Sequence, residues 1–176
     1  MTRIAFILST AACAVLVCAS LSAQLPTGAE PGPIPPALHT ANKIFVSNGG
    51  SDSGLFPHPF TGDANRPYSQ FYASLKATKL FDLVSDPAQA DLILEIKLAA
   101  PNGPSNPNKA EGASDPLPMF LLTIYDAKSH YVLWTLTRDI DPANLQKTHD
   151  RNFDLALAGI LTDFETVTGK LPPASQ

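Results

Sequence analysis

The most regular alternation in the chain runs from Leu92 to Leu98. Leu92, Leu94, Ile96 and Leu98 point one way, and Ile93, Glu95 and Lys97 point the other. This predicts a strand with one buried face and one face at least partly wet. Met119–Tyr125 and Tyr131–Arg138 repeat the pattern on either side of Asp126–His130, which reads as an antiparallel hairpin. In it Phe120, Leu122 and Ile124 share a face, as do Val132, Trp134 and Leu136, and these six residues are expected to face the helices. A fourth strand is short and apolar, Lys43–Ser47, and stops at the breaker cluster Asn48-Gly49-Gly50. Phe81, Leu83 and Val84 suggest a short fifth strand, followed by a turn capped by Asp86 with Pro87 first inside.

Two segments change period from two to 3.6. Tyr68, Phe71, Tyr72 and Leu75 fall at i, i+3, i+4 and i+7, predicting a helix over residues 67–79 that starts at Pro67. Phe153, Leu157, Ile160, Leu161, Phe164 and Val167 recur at three- and four-residue steps and predict a helix over 150–168. Thr148 or Asp150 is its expected cap, and Gly169 followed by Pro172-Pro173 ends it. Residues 171–176 read as a frayed tail. The expected fold class is therefore α+β: two layers, a mixed four- to five-stranded sheet, and two amphipathic helices on one of its faces. Residues 43–170 hold this domain. Residues 48–66 read as a long loop, and 99–118, rich in Pro, Asn, Ser and Gly, as a disordered one.

The amino terminus follows a different pattern. Arg3 precedes an apolar run from Ile4 to Val17, and small residues follow. That is the order of a cleavable secretory signal over residues 1–23, cut after Ala23 or, alternatively, after Ser22. The run is shorter than the ~20 residues a membrane span needs. A lipid attachment would need a small residue before its cysteine. Cys18 follows Val17, and Cys13 lies inside the apolar run. Residues 24–42 carry many prolines and read as an extended linker.

The chain's two cysteines are Cys13 and Cys18, so an exported form cut after Ala23 has no thiol. Disulfides, thiolate metal sites and cysteine nucleophiles are excluded from it, and the core must hold the fold alone. The whole chain has a net charge of −4, one unit more negative without Arg3. Mild acidity argues against nucleic acid as a partner, because phosphate binding needs a basic face.

Candidate chemistry is sparse. His39, His58, His130 and His149 have no zinc-site spacing, so no metal or other cofactor is expected. His130 and His149 read as solvated polar residues. Gly-x-Ser-x-Gly and Ser-x-x-Lys are absent, and Gly49–Gly54 lacks the Gly-Lys-Ser/Thr of a phosphate loop. Asp52, Asp63, Asp139, Asp141, Asp150 and Asp154 could supply a carboxylate pair, but turns and caps are the simpler use of such residues. On the sheet face away from the helices, Ile93, Leu121, Leu133 and Tyr131 form a candidate contact patch among Glu95, Lys97, Thr123, Thr135 and Thr137.

Ala90-Asp91 leads into the strand Leu92–Ile96. The strand Leu121–Tyr125 follows, then Asp126-Ala127-Lys128, Val132-Leu133-Trp134 and the closing helix. This order resembles small exported domains such as the amino-terminal domain of TolB, the curli-secretion lipoprotein group and uncharacterised envelope lipoproteins. The resemblance covers residues 43–98 and 119–168. It implies a non-catalytic envelope domain, periplasmic or extracellular, that contacts another envelope protein, and it carries over no catalytic residue. Two other readings stay open: a hydrolase with a site built from residues 48–66 and 139–150, and a small-ligand binder with a pocket between sheet and helices.

Overall fold

The computed structural model describes residues 32–105 and 114–170. Residues 1–31, which hold the expected signal and the start of the Pro-rich segment, lie outside the described residues, as do residues 106–113 and 171–176. The elements in order are α1 (Pro36–Thr40), β1 (Lys43–Ser51), α2 (Arg66–Thr78), β2 (Asp82–Leu83), β3 (Leu92–Ala99), β4 (Asn102–Ser105), β5 (Ser114–Pro116), β6 (Met119–Asp126), β7 (Val132–Asp139) and α3 (Gln146–Val167). One 3-10 turn, Pro87–Gln89, precedes β3, and Asp86 caps it through the Ala88 N–H as expected.

Five strands form a mixed sheet in the order β2-β1-β3-β6-β7. β1 runs parallel to β2 and β3, and β6 antiparallel to β3 and β7. α2 and α3 pack on one face and against each other, which gives the expected two-layer α+β arrangement. The core between the layers is made by alternate strand residues and by the helix stripes. Ile44, Leu92, Leu94, Ile96, Leu98, Phe120, Leu122 and Ile124 meet Phe71, Leu75, Phe153, Ile160 and Phe164, all fully buried.

Several boundaries differ from the sequence expectation. Residues 33–42 belong to the folded unit rather than to a linker. Pro36 occupies the start of α1, where its missing N–H costs nothing, and Leu38 and Ala41 are buried. Asp91 Oδ2 accepts the N–H groups of Asn42 and Lys43, and Lys170 Nζ reaches the Ala41 carbonyl and Asn42, so the segment is tied down on two sides. β1 continues to Ser51 through Gly49, where an added Cβ would lie 3.0 Å from the Ile96 carbonyl oxygen and from Lys97 Cβ.

The segment expected to be a disordered loop over 99–118 contains a second, two-stranded sheet, β4 with β5. Gly103 allows the close approach. A Cβ there would fall 2.7 Å from the Asp115 carbonyl oxygen. Val132 is exposed rather than facing the helices, while Trp134 and Leu136 are half-buried. The reason is a bulge: the ladder passes from Ile124↔Trp134 to Tyr125↔Val132 and so turns the start of β7. α3 begins at Gln146, and neither Thr148 nor Asp150 caps it. Both lie inside the helix, and Asp150 is engaged elsewhere.

Candidate functional site

The outward face of the sheet is built in cross-strand rows that the register fixes. Phe45, Ile93 and Tyr125 lie side by side on β1, β3 and β6. The next row is Ser47, Glu95, Thr123 and Thr135. Lys97, Leu121 and Thr137 follow, and then Ala99, Met119 and Asp139. On β1, β3 and β6 these residues are half-buried, and no described helix packs over them. The surface is thus apolar at the Phe45–Ile93–Tyr125 end, polar across the middle, and apolar again around Leu121 and Met119.

The four expected contact residues are not all in one place. Ile93 and Leu121 face outward, but β6 separates their rows by four residues, about 14 Å. Leu133 sits at the β7 bulge, where it packs against the edge of the core. Tyr131 lies in the turn before β7 and is 75% exposed. Phe45, Tyr125 and Met119 join this face beyond the four residues expected from sequence. Their signal is simple alternation, since Phe45 stands between inward Ile44 and Val46, and Tyr125 follows inward Ile124.

At the far end of the sheet, residues 48–66 and 139–150 do come together. Arg66 is the centre of that meeting. Its guanidinium contacts Asp150 at 2.6 Å and Asp154 at 2.9 Å, and lies 4.2 Å from the centre of the Phe153 ring. Asp150 Oδ1 also accepts from the Thr61 N–H and hydroxyl, and Gln146 donates to the Pro59 carbonyl. Burial works to raise the Asp150 pKa, but the Arg66, Thr61 and Gln146 donors outweigh it and hold the group down at about 2. A carboxylate this firmly ionised and fully occupied by donors joins the loop to α3. It is poorly suited to accept a proton near neutral pH.

The other aspartates serve turns and strand ends. Asp52 accepts from the Ala100 N–H and pairs with Lys97 at 2.9 Å, and both hold its pKa below the ordinary value. Asp63 accepts from the Asn65 N–H. Asp126 closes the hairpin by accepting from the Lys128 and Ser129 N–H groups, which lower its pKa. Asp139 and Asp141 line an open hollow of about 410 Å³ beside Arg138 and Asn152. Among the histidines, His58 Nδ1 is 3.1 Å from Gln146 Oε1, and His130 adopts φ +59° in the hairpin turn. His149 is not simply solvated as expected: it is half-buried and meets the Phe60 ring edge-on at 6.0 Å. Among the described residues, no group of three or more His, Cys, Asp or Glu side chains is placed to hold a metal ion.

No family model matches the sequence, and no curated protein matches it. Solved structures do. A DUF4136 family protein from Bacteroides thetaiotaomicron is 12% identical with a TM-score of 0.47, covering 77% of this chain and 91% of its own. The PelC dodecamer from Paraburkholderia phytofirmans is 14% identical with a TM-score of 0.41, covering 76% and 91%. A lipoprotein from Neisseria meningitidis is 10% identical with a TM-score of 0.34, covering 71% and 99%. At these identities the likeness is one of fold.

Proposed function

We propose that this protein is an exported, non-catalytic domain of the cell envelope that acts by contacting another protein through the outward face of its sheet. The observation that carries the reading is the uncovered row Phe45–Ile93–Tyr125, bordered by Glu95 in the next row. An apolar row of this kind is a ready contact surface, and charges beside it give a partner orientation. Export is supported by the order Arg3, apolar run, small residues at the amino terminus. Among the described residues no helix is long and apolar enough to cross a membrane.

The test is site-directed photocrosslinking in cells expressing the full chain. A crosslinker replacing Ile93 or Leu121 is expected to give the same discrete product in the envelope fraction. A crosslinker replacing exposed Leu155 on α3 is expected to give none. Products of equal yield from all three positions, or none from any, would overturn the reading.

A further inference from the structure

The loop end carries a feature that the contact face does not explain. Between residues 54–60, the β5–β6 junction and residues 140–149 lies a partly enclosed recess of about 140 Å³. Leu55, Phe60 and Ile140, all buried core residues, line it. Pro59, Pro116, Pro118 and Pro142 complete most of the wall. Proline has no N–H, so these four positions offer no backbone donor to water or ligand. The wall is therefore apolar by side chain and poor in donors by backbone, and water gains little there.

Two polar side chains, His149 and Asp141, break the pattern. His149, held on the first turn of α3 by its N–H bond to the Leu145 carbonyl, also lines the recess. Its ring stands edge-on to Phe60, and its nitrogens form no hydrogen bond with any described residue. A small number of polar groups on a largely apolar wall is the usual means by which a small-molecule site fixes orientation. Asp141 lines the recess as well and is exposed, which disfavours an anionic ligand.

From this geometry we infer that the recess binds a neutral small molecule with one compact apolar ring and one hydrogen-bonding substituent directed to His149, of which a phenol is the simplest example. The size fits. An apolar cavity of about 150 Å³ accepts benzene. The inference is independent of the contact face, because the recess lies at the opposite end of the strands from the Phe45–Ile93–Tyr125 row.

The probe is 4-fluorophenol, titrated into the purified protein and followed by fluorine and protein NMR. The expected result is a saturable shift of His149 and Phe60 resonances with a Kd of about 1 mM or tighter. Fluorobenzene, which lacks the hydroxyl, is expected to bind at least five-fold more weakly. Ile140→Trp fills the recess and is expected to abolish saturation. His149→Phe keeps the wall apolar, and serves if the first variant fails to fold. It is expected to bring 4-fluorophenol to the fluorobenzene level. Ile93→Ala, on the outward face, leaves binding unchanged. No saturation by about 10 mM would overturn the inference, as would equal binding of the two probes or a shift that survives in folded Ile140→Trp.

Discussion

The two faces of the central sheet are made by the same strands and differ only in which alternate residues each displays. The covered face shows Leu92, Leu94, Ile96 and Leu98 from β3 and Phe120, Leu122 and Ile124 from β6, all with no exposure. The open face shows Ile93, Glu95 and Lys97, then Leu121, Thr123 and Tyr125, each half-buried. The covered side is uniform because any polar group there would lose water without a partner. The open side is mixed because water still reaches it. Stability is therefore concentrated on one face, which leaves the other free to vary in its chemistry at little cost to the fold.

The sharpest test of that division is a pair of truncations. Phe153 is the densest aromatic junction of the covered side. Its ring centre lies 4.9 Å from that of Phe120, 5.3 Å from Phe60 and 6.5 Å from Phe56, with the Arg66 guanidinium over its face. Phe153→Ala is expected to lower stability by about 3–5 kcal/mol in urea denaturation, because the removed ring leaves a cavity among rigid neighbours. Ile93→Ala on the open face is expected to cost less than about 1 kcal/mol. Similar losses for both would break the comparison and show that something covers the open face in solution.

A smaller effect is expected at the end of the sheet, where loop and helix are joined by charge rather than by packing. The Asp150 pKa of about 2 lies below the ordinary value of 3.8. The folded state therefore binds the proton less readily than the unfolded chain. The stabilisation is fully present above pH 3.8 and is lost as pH falls from there toward 2. A shift of that size corresponds to about 2 kcal/mol before solvent screening. One-fifth of the side chain is exposed and Asp154 remains on Arg66, so Asp150→Asn is expected to cost about 1–2 kcal/mol at neutral pH. Urea midpoints for wild type and variant should draw together as pH falls below 3.8 and converge near pH 2. A gap that stays constant down to about pH 2 would show that the loss comes from packing and not from the carboxylate's charge.

Legibility in the sequence follows the same division between local pattern and long-range contact. The alternation over Leu92–Leu98 and the stripes Tyr68–Leu75 and Phe153–Val167 are local signals, and each produces its element. The start of α3 escapes such reading because Gln146–His149 carry no apolar periodicity. Asp150, a plausible cap by sequence, is taken instead by Thr61 and Arg66, more than eighty residues away. Residues 33–42 look like a linker because proline density outweighs the buried side chain of Leu38. What holds them, the Asp91 carboxylate and the Lys170 ammonium, is contact at long range. The recess beside His149 is equally hidden. Its walls come from three separate segments, and only the broad pairing of 48–66 with 139–150 is within reach of the sequence.

The least expected residue on the covered side is Glu165, and it gives the finest test of that side. The residue is only 5% exposed, and burial is the sole cause of the shift in its carboxylate. Loss of solvation raises its pKa above the ordinary 4.5, since burial penalises the charged form. The sign is opposite to that at Asp150. The folded state holds the proton more tightly than the unfolded chain, so the group burdens the fold least below pH 4.5. Its penalty grows as pH rises through the folded-state value. Glu165→Gln keeps the shape and removes the charge. It is expected to raise the urea midpoint slightly at about pH 7 and to leave it unchanged at about pH 4. A variant destabilised at neutral pH would mean that the carboxylate has a partner in solution, and the covered face would then be less uniformly apolar than its strands.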